Sequence, residues 1–171
     1  MRRIVLGCAV LVLAFAATSV GQEAAAPKKH VVTTQAEMKW GDPPPVFEKG
    51  ATFTVVSGNP GETGPFVVRL KMPAGYKIAP HWHPADENVT VIAGTFSLGM
   101  GEKFDPATMK ELPAGSYALL PAEMKHYAMA KTPAIVQVHG IGPWKLIYVN
   151  KADDPSTRVE AAKEAPKEVT K

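Results

Sequence analysis

The stretch Ala79–Gly94, APHWHPADENVTVIAG, places His81 and His83 one residue apart and Glu87 four positions beyond the second histidine. Imidazole and carboxylate are common protein ligands of divalent transition metals. On a strand, side chains at i and i+2 share a face, so His81 and His83 can aim both rings at one ion from a rigid backbone. PAD then turns the chain, and Glu87 opens a run in which Glu87, Val89 and Val91 share one face. Pairing of these two strands as a hairpin is expected to carry Glu87 back beside the histidines. A further donor, His126, begins another apolar strand in LPAGSYALLPAEMKHYAMA.

Two other groups bear on the same chemistry. In AIVQVHGIG, Val136 and Val138 share one face, and Gln137 and His139 share the other. Either the valines fill the interior and His139 is exposed or at an interface, or His139 faces the cavity as a candidate proton shuttle. Trp82, flanked by the two histidines, points to the face opposite theirs. Trp40 and Trp144 read as core or interface aromatics.

The elements that must position these residues are strands. In PFVVRLKM, Phe66, Val68, Leu70 and Met72 alternate with Val67, Arg69 and Lys71, the period of a half-buried strand. SGNPGETGP, MPAG, IAG, LPAG and KTP punctuate short apolar runs at fairly even spacing, which predicts an all-β sandwich or barrel. HVVTTQAEMKW can form a first strand or an arm, and GDPPP interrupts it because proline has no backbone donor for a ladder. DPATMKEL and DPSTRVEAAKEA each offer a helix start, with Asp before Pro at the first helical position. Beyond Asn150 the chain is charged and poor in large apolar residues, so a frayed helix or disorder is expected.

The histidines and glycines together resemble the cupins. The first cupin motif is a glycine, five residues, His-x-His, three or four residues, Glu, six residues, glycine, and Gly75, His81, His83, Glu87 and Gly94 match every fixed position. Of the second motif, Gly115, Pro121 and His126 match, while Glu123 replaces a glycine and Ala130 an asparagine. The resemblance covers about Ala51 to Val149. It implies a six-to-eight-stranded double-Greek-key jelly roll, the double-stranded β-helix, with a divalent metal held by His81, His83, Glu87 and His126. It also leaves Glu87 a second role as a catalytic base while the histidines alone bind. Three neutral imidazoles and a carboxylate suit iron, manganese, copper, nickel, cobalt or zinc, without choosing among them. Open positions on an octahedral ion point to catalysis rather than to a purely structural site.

The remainder of the 171 residues sets the context. MRR followed by IVLGCAVLVLAFAATSV has the basic and apolar regions of a signal peptide, with cleavage after Ser19 or, preferably, Gly21. That predicts a leader over 1–21, an N-terminal arm over 22–50, a barrel over 51–150 and a tail over 151–171, in a secreted or periplasmic protein. Cys8 is the only cysteine, so the mature chain is expected to hold no disulfide and no cysteine nucleophile. Without Arg2 and Arg3 the chain carries 17 basic against 16 acidic residues, a balance that points to neither nucleic acid nor an anionic membrane as partner. A homodimer is expected, covering barrel edges and outward aromatics. Within the resemblance, the leading expectation is a metal-dependent dioxygenase acting on a small enolisable or phenolic molecule. Isomerases and decarboxylases share the barrel, and a non-catalytic small-molecule or metal-sensing module is the alternative.

Overall fold

The computed structural model describes residues 30–158. The leader, the part of the arm before His30 and the tail beyond 158 lie outside the described residues. Among the described residues ten strands form two antiparallel sheets. They are β1 (Thr52–Ser57), β2 (Gly64–Met72), β3 (Lys77–Trp82), β4 (Glu87–Ala93), β5 (Thr95–Met100), β6 (Lys110–Pro113), β7 (Tyr117–Leu120), β8 (His126–Ala130), β9 (Ala134–Gly142) and β10 (Ile147–Tyr148). One sheet runs β1-β2-β9-β4-β7 and the other β10-β3-β8-β5-β6. This is a two-sheet jelly roll, with more strands than the six to eight expected because short edge strands such as the two-residue β10 join the sheets. Among the described residues no helix is long and apolar enough to cross a membrane.

Alternation builds the core. Phe66, Val68, Leu70 and Met72 on β2 are all buried, as are Val89 and Val91 on β4 and Val136 and Val138 on β9. The register sets Val68 beside Val138 and Val138 beside Val89, and likewise Leu70, Val136 and Val91, so the inner face carries continuous apolar rows. From the second sheet Ile78, Phe96, Leu98, Ala128 and Ala130 close against them. Each large side chain buried this way contributes roughly 1.5–3 kcal/mol, and together they make the apolar cage that surrounds the few polar residues inside.

The non-strand expectations resolve unevenly. The segment before β1 is an arm with a short 3-10 turn at Gln35–Glu37, tied to the barrel by a bridge between Gly41 and Phe53. Asp105 does cap a helical start, its side chain accepting from the Ala107 N–H, but only a 3-10 turn at Pro106–Thr108 follows. The chain then extends as β6, because pairing with β5 sets Leu112 opposite Phe96 and buries it. Asp154 accepts from both the N–H and the hydroxyl of Ser156 and opens a helical turn over 155–158.

Candidate metal centre

His81 and His126 face each other across the β3–β8 ladder. Their inward aim depends on a bulge: between Ile78 and His81 the register shifts, with Ala79 and Pro80 set against Tyr127 alone. A bulge tolerates proline, which has no donor to lose. Ile78 and His81 therefore both point inward at a spacing of three. The freed Ala79 carbonyl accepts a hydrogen bond from His81 Nδ1 at 2.7 Å. His83 follows the end of β3, and its Nδ1 donates to the Lys145 carbonyl at 2.8 Å. His126 Nδ1 donates to the Met124 carbonyl at 2.9 Å.

These three bonds decide the tautomer. A carbonyl only accepts, so each Nδ1 carries the proton and each Nε2 presents a lone pair. The three buried histidines offer ring nitrogens within 4.8 Å of one another, a group that can hold a metal ion. Their rings lie close, with centroids 4.2 Å apart for His81 and His126 and 5.1 Å for His81 and His83.

Glu87 joins them by a route other than the hairpin expected from sequence. β3 and β4 do not pair; they belong to opposite sheets, and β4 is flanked by β7 and β9. The turn at 84–86 is a corner between sheets, so Glu87 reaches the histidines across the barrel interior. Its Oε2 lies 3.3 Å from Nε2 of both His83 and His126. Neither approach has hydrogen-bond geometry, and both nitrogens are buried without a partner. Burial pushes the Glu87 carboxyl up, but the neighbouring His126 and His83 outweigh it and hold the group well below the usual carboxylate range. Burial and then His126 and His83 push the His81 imidazole down to about 3. Lone pairs and an anionic oxygen thus face one common point. Such a set requires a cation, either a proton on one ring or a metal shared by all, and its orphaned buried nitrogens fit a metal.

His139 is not brought to this cluster. Val136 and Val138 line the interior, and His139 lies on the outer face of β9, where its backbone carbonyl accepts from Asn88 Nδ2 at 3.2 Å. The sequence candidate for a proton shuttle therefore stands on the wrong side of the sheet. The residue that sequence reasoning missed is Trp144, taken for a core or interface aromatic. Its ring stacks on His83 with centroids 4.3 Å apart and planes 20° from parallel, and its backbone N–H donates to the Pro60 carbonyl at 2.7 Å. Nothing in IGPWK marks this role, because it follows from how the chain returns between β9 and β10.

The second motif keeps its turn despite the substitution at Glu123. Glu123 adopts φ +65°, the left-handed conformation that a glycine supplies without strain. Its N–H donates to the His83 carbonyl at 2.8 Å, so this turn also helps to fix the histidine.

His81, Glu87 and His126 face an apolar cavity of about 40 Å3, room for a few waters, walled by residues such as Phe53, Val68, Leu98 and Val138. A larger chamber of about 350 Å3 adjoins it, sharing Phe47, Phe53, Val68, Trp144 and Leu146. The arm crosses this chamber at Pro44–Phe47 and is pinned by the Tyr148 hydroxyl on the Val46 carbonyl and the Tyr76 hydroxyl on the Glu48 carbonyl, each at 2.7 Å.

Residues 28–144 match the family of ChrR cupin-like domains. The chain belongs to that family. No curated protein matches the sequence. Among solved structures, this cupin is similar to the polyketide cyclase RemF from Streptomyces resistomycificus, at 15% identity and TM-score 0.61 over 77% of this chain and 94% of that one. It is similar to an acetylacetone dioxygenase from Acinetobacter johnsonii, at 16% identity and TM-score 0.56 over 75% and 83% of the two chains. An RmlC-like cupin from Shewanella frigidimarina aligns at 17% identity and TM-score 0.52 over 66% and 91%. At these identities the likeness is one of fold.

Proposed function

We propose that this cupin binds a divalent transition metal through His81, His83, His126 and Glu87 and acts as a dioxygenase-type enzyme on a small enolisable or phenolic molecule. The observation that carries the reading is the convergence of three Nδ1-locked imidazoles and a buried carboxylate at an apolar cavity, with two buried ring nitrogens that have no hydrogen-bond partner. A metal held there supplies Lewis acidity toward the oxygens of a ligand and, where it is redox-active, reactivity toward dioxygen. The protein's own part is to hold the donors in one tautomer, to exclude bulk water with Phe47, Phe53 and Trp144, and to keep Glu87 ionised. The fold shared with an acetylacetone dioxygenase supports this reaction class.

The test is reconstitution with iron(II), manganese, copper, nickel or zinc and a panel of β-diketones, catechols and flavonol-like compounds. Substrate-dependent oxygen consumption is expected with a redox-active metal, none with zinc, and none after His126→Ala. One observation favours a second reading: only about 40 Å3 lies open beside the cluster. Tight metal binding without oxygen consumption on any substrate would remove the dioxygenase reading, and small-molecule binding without turnover would then favour the non-catalytic metal- or ligand-binding module. The expected homodimer rests on outward apolar residues of β4 and β7, Ile92, Tyr117 and Leu119. A single monomeric species by light scattering at high concentration would remove it.

A further inference from the structure

Three buried polar atoms sit orphaned at the site: Nε2 of His83, Nε2 of His126 and Nε1 of Trp144. The proposed metal accounts for the first two, which are lone pairs. It cannot account for the third, because an indole N–H only donates. Trp144 lines both the inner cavity and the outer chamber, and the chamber walls contributed by Val46, Phe47, Phe53, Val68, Leu146 and Ile147 offer no side-chain acceptor. The ring is also held in place. It stacks on His83, lies 5.9 Å from Phe66, and is carried on a backbone bonded to Pro60. A rigid, buried donor with nothing to donate to is the feature expected of a group whose partner arrives with a ligand.

We propose that the Trp144 indole N–H donates a hydrogen bond to an oxygen of the ligand that enters the apolar chamber, making Trp144 a specificity-determining residue. The ligand class follows: a small molecule with an apolar body and at least two neighbouring oxygens, one reaching the metal and one the indole. A molecule whose second oxygen is replaced by a methyl group leaves the N–H unpaired and is rejected. This inference rests on the metal-centre reading above and adds to it the second point of recognition.

The experiment uses the full-length protein loaded with zinc, which binds without redox turnover, and benzoylacetone as the probe. The chain has three tryptophans, so three indole N–H signals are followed by 15N NMR, and Trp144→Phe identifies the relevant one. On saturation with benzoylacetone the Trp144 signal should move downfield and its solvent exchange should slow. Trp144→Phe keeps an aromatic ring at this position while removing the donor together with the pyrrole ring, so it should weaken benzoylacetone binding by roughly 5- to 10-fold or more. Its affinity for zinc, and that of the zinc form for azide, should not change. If none of the three indole signals moves in the saturated wild type, the proposal is overturned even when the variant fails to fold. Equal losses for benzoylacetone, azide and zinc would also overturn it, making Trp144 a positioning residue for His83. Zinc uptake without benzoylacetone binding would remove the ligand class while leaving the metal reading intact, whereas failure to take up zinc would remove both.

Discussion

Glutamine in place of Glu87 removes a charge and adds a donor where the cluster has a surplus of acceptors. Glu87 is only 6% exposed, and its Oε2 lies 3.3 Å from two Nε2 atoms that have no partner. Removing one member of an ordinary buried ion pair costs about 3–5 kcal/mol. Here the metal-free protein should move the other way. The new amide can donate to one orphaned nitrogen, a bond worth about 1 kcal/mol, and the buried charge is gone. Metal-free Glu87→Gln should therefore be at least as stable as wild type at pH 7.5, by up to ~2 kcal/mol. Metal reverses the ranking. At a thousandfold excess over Kd a bound ion stabilises wild type by about 4 kcal/mol, and losing the anionic donor should lower affinity about tenfold or more, removing at least ~1.4 kcal/mol of that gain. Urea unfolding followed by tryptophan fluorescence, with and without zinc or manganese, reads both quantities. If the metal-free variant instead loses several kcal/mol while its metal-dependent gain stays whole, Glu87 is one half of a structural ion pair with a protonated histidine and not a ligand.

His81→Ala, His83→Ala or His126→Ala should each abolish tight metal binding while circular dichroism still reports the barrel; full metal occupancy in any one variant would show that its histidine is not a donor. The metal-free protein should weaken in acid. His81 titrates at about 3 when folded against 6.5 for the free group, so the unfolded chain binds the extra proton between these values. Its contribution is therefore whole above pH 6.5 and lost as pH falls toward 3, at up to ~1.4 kcal/mol per pH unit; a denaturation midpoint that does not move between pH 7 and 4.5 would contradict this. Glu123→Gly, at φ +65°, should raise stability by about 0.5–1 kcal/mol, since relief of left-handed strain exceeds the entropy glycine adds to the unfolded chain; a lowered melting temperature would show that the turn holds no such strain. From an exporting host the protein should begin near Gln22 and lack cysteine, and N-terminal sequencing that finds Met1 or a lipid on Cys8 would overturn the leader.

The alternation of Phe66, Val68, Leu70 and Met72 made the inner face of β2 readable from sequence, because period-two burial is a local property of one strand. The pair His81 and His83 was readable for a similar reason, helped by the spacing of Gly75 and Gly94. What lay beyond local pattern was which strands pair. Three residues at 84–86 serve a hairpin or a corner equally well, and only the capture of β4 by β7 and β9 makes them a corner. The side of β9 that faces inward had the same character: His139 and Val138 differ by one position, and tertiary packing chose the valine. The helical signal at Asp105 was real but local, and it lost to the burial of Leu112. Trp144 reaches His83 from 61 positions away, through a contact that no periodicity encodes.

The three bonds that orient the imidazoles all end on main-chain oxygens, those of Ala79, Met124 and Lys145. Metal-site histidines are often steered by carboxylates, whose loss by a single codon change disorders the site. Here the side chains at those three positions can be exchanged, Lys145 for an acidic residue or Met124 for a polar one, without deleting any of the bonds. The aim of the donors is thus inherited from the path of the backbone. The geometry of the centre therefore depends on the bulge at Ala79–Pro80 and the turn at Glu123 more than on the charge or size of those three side chains.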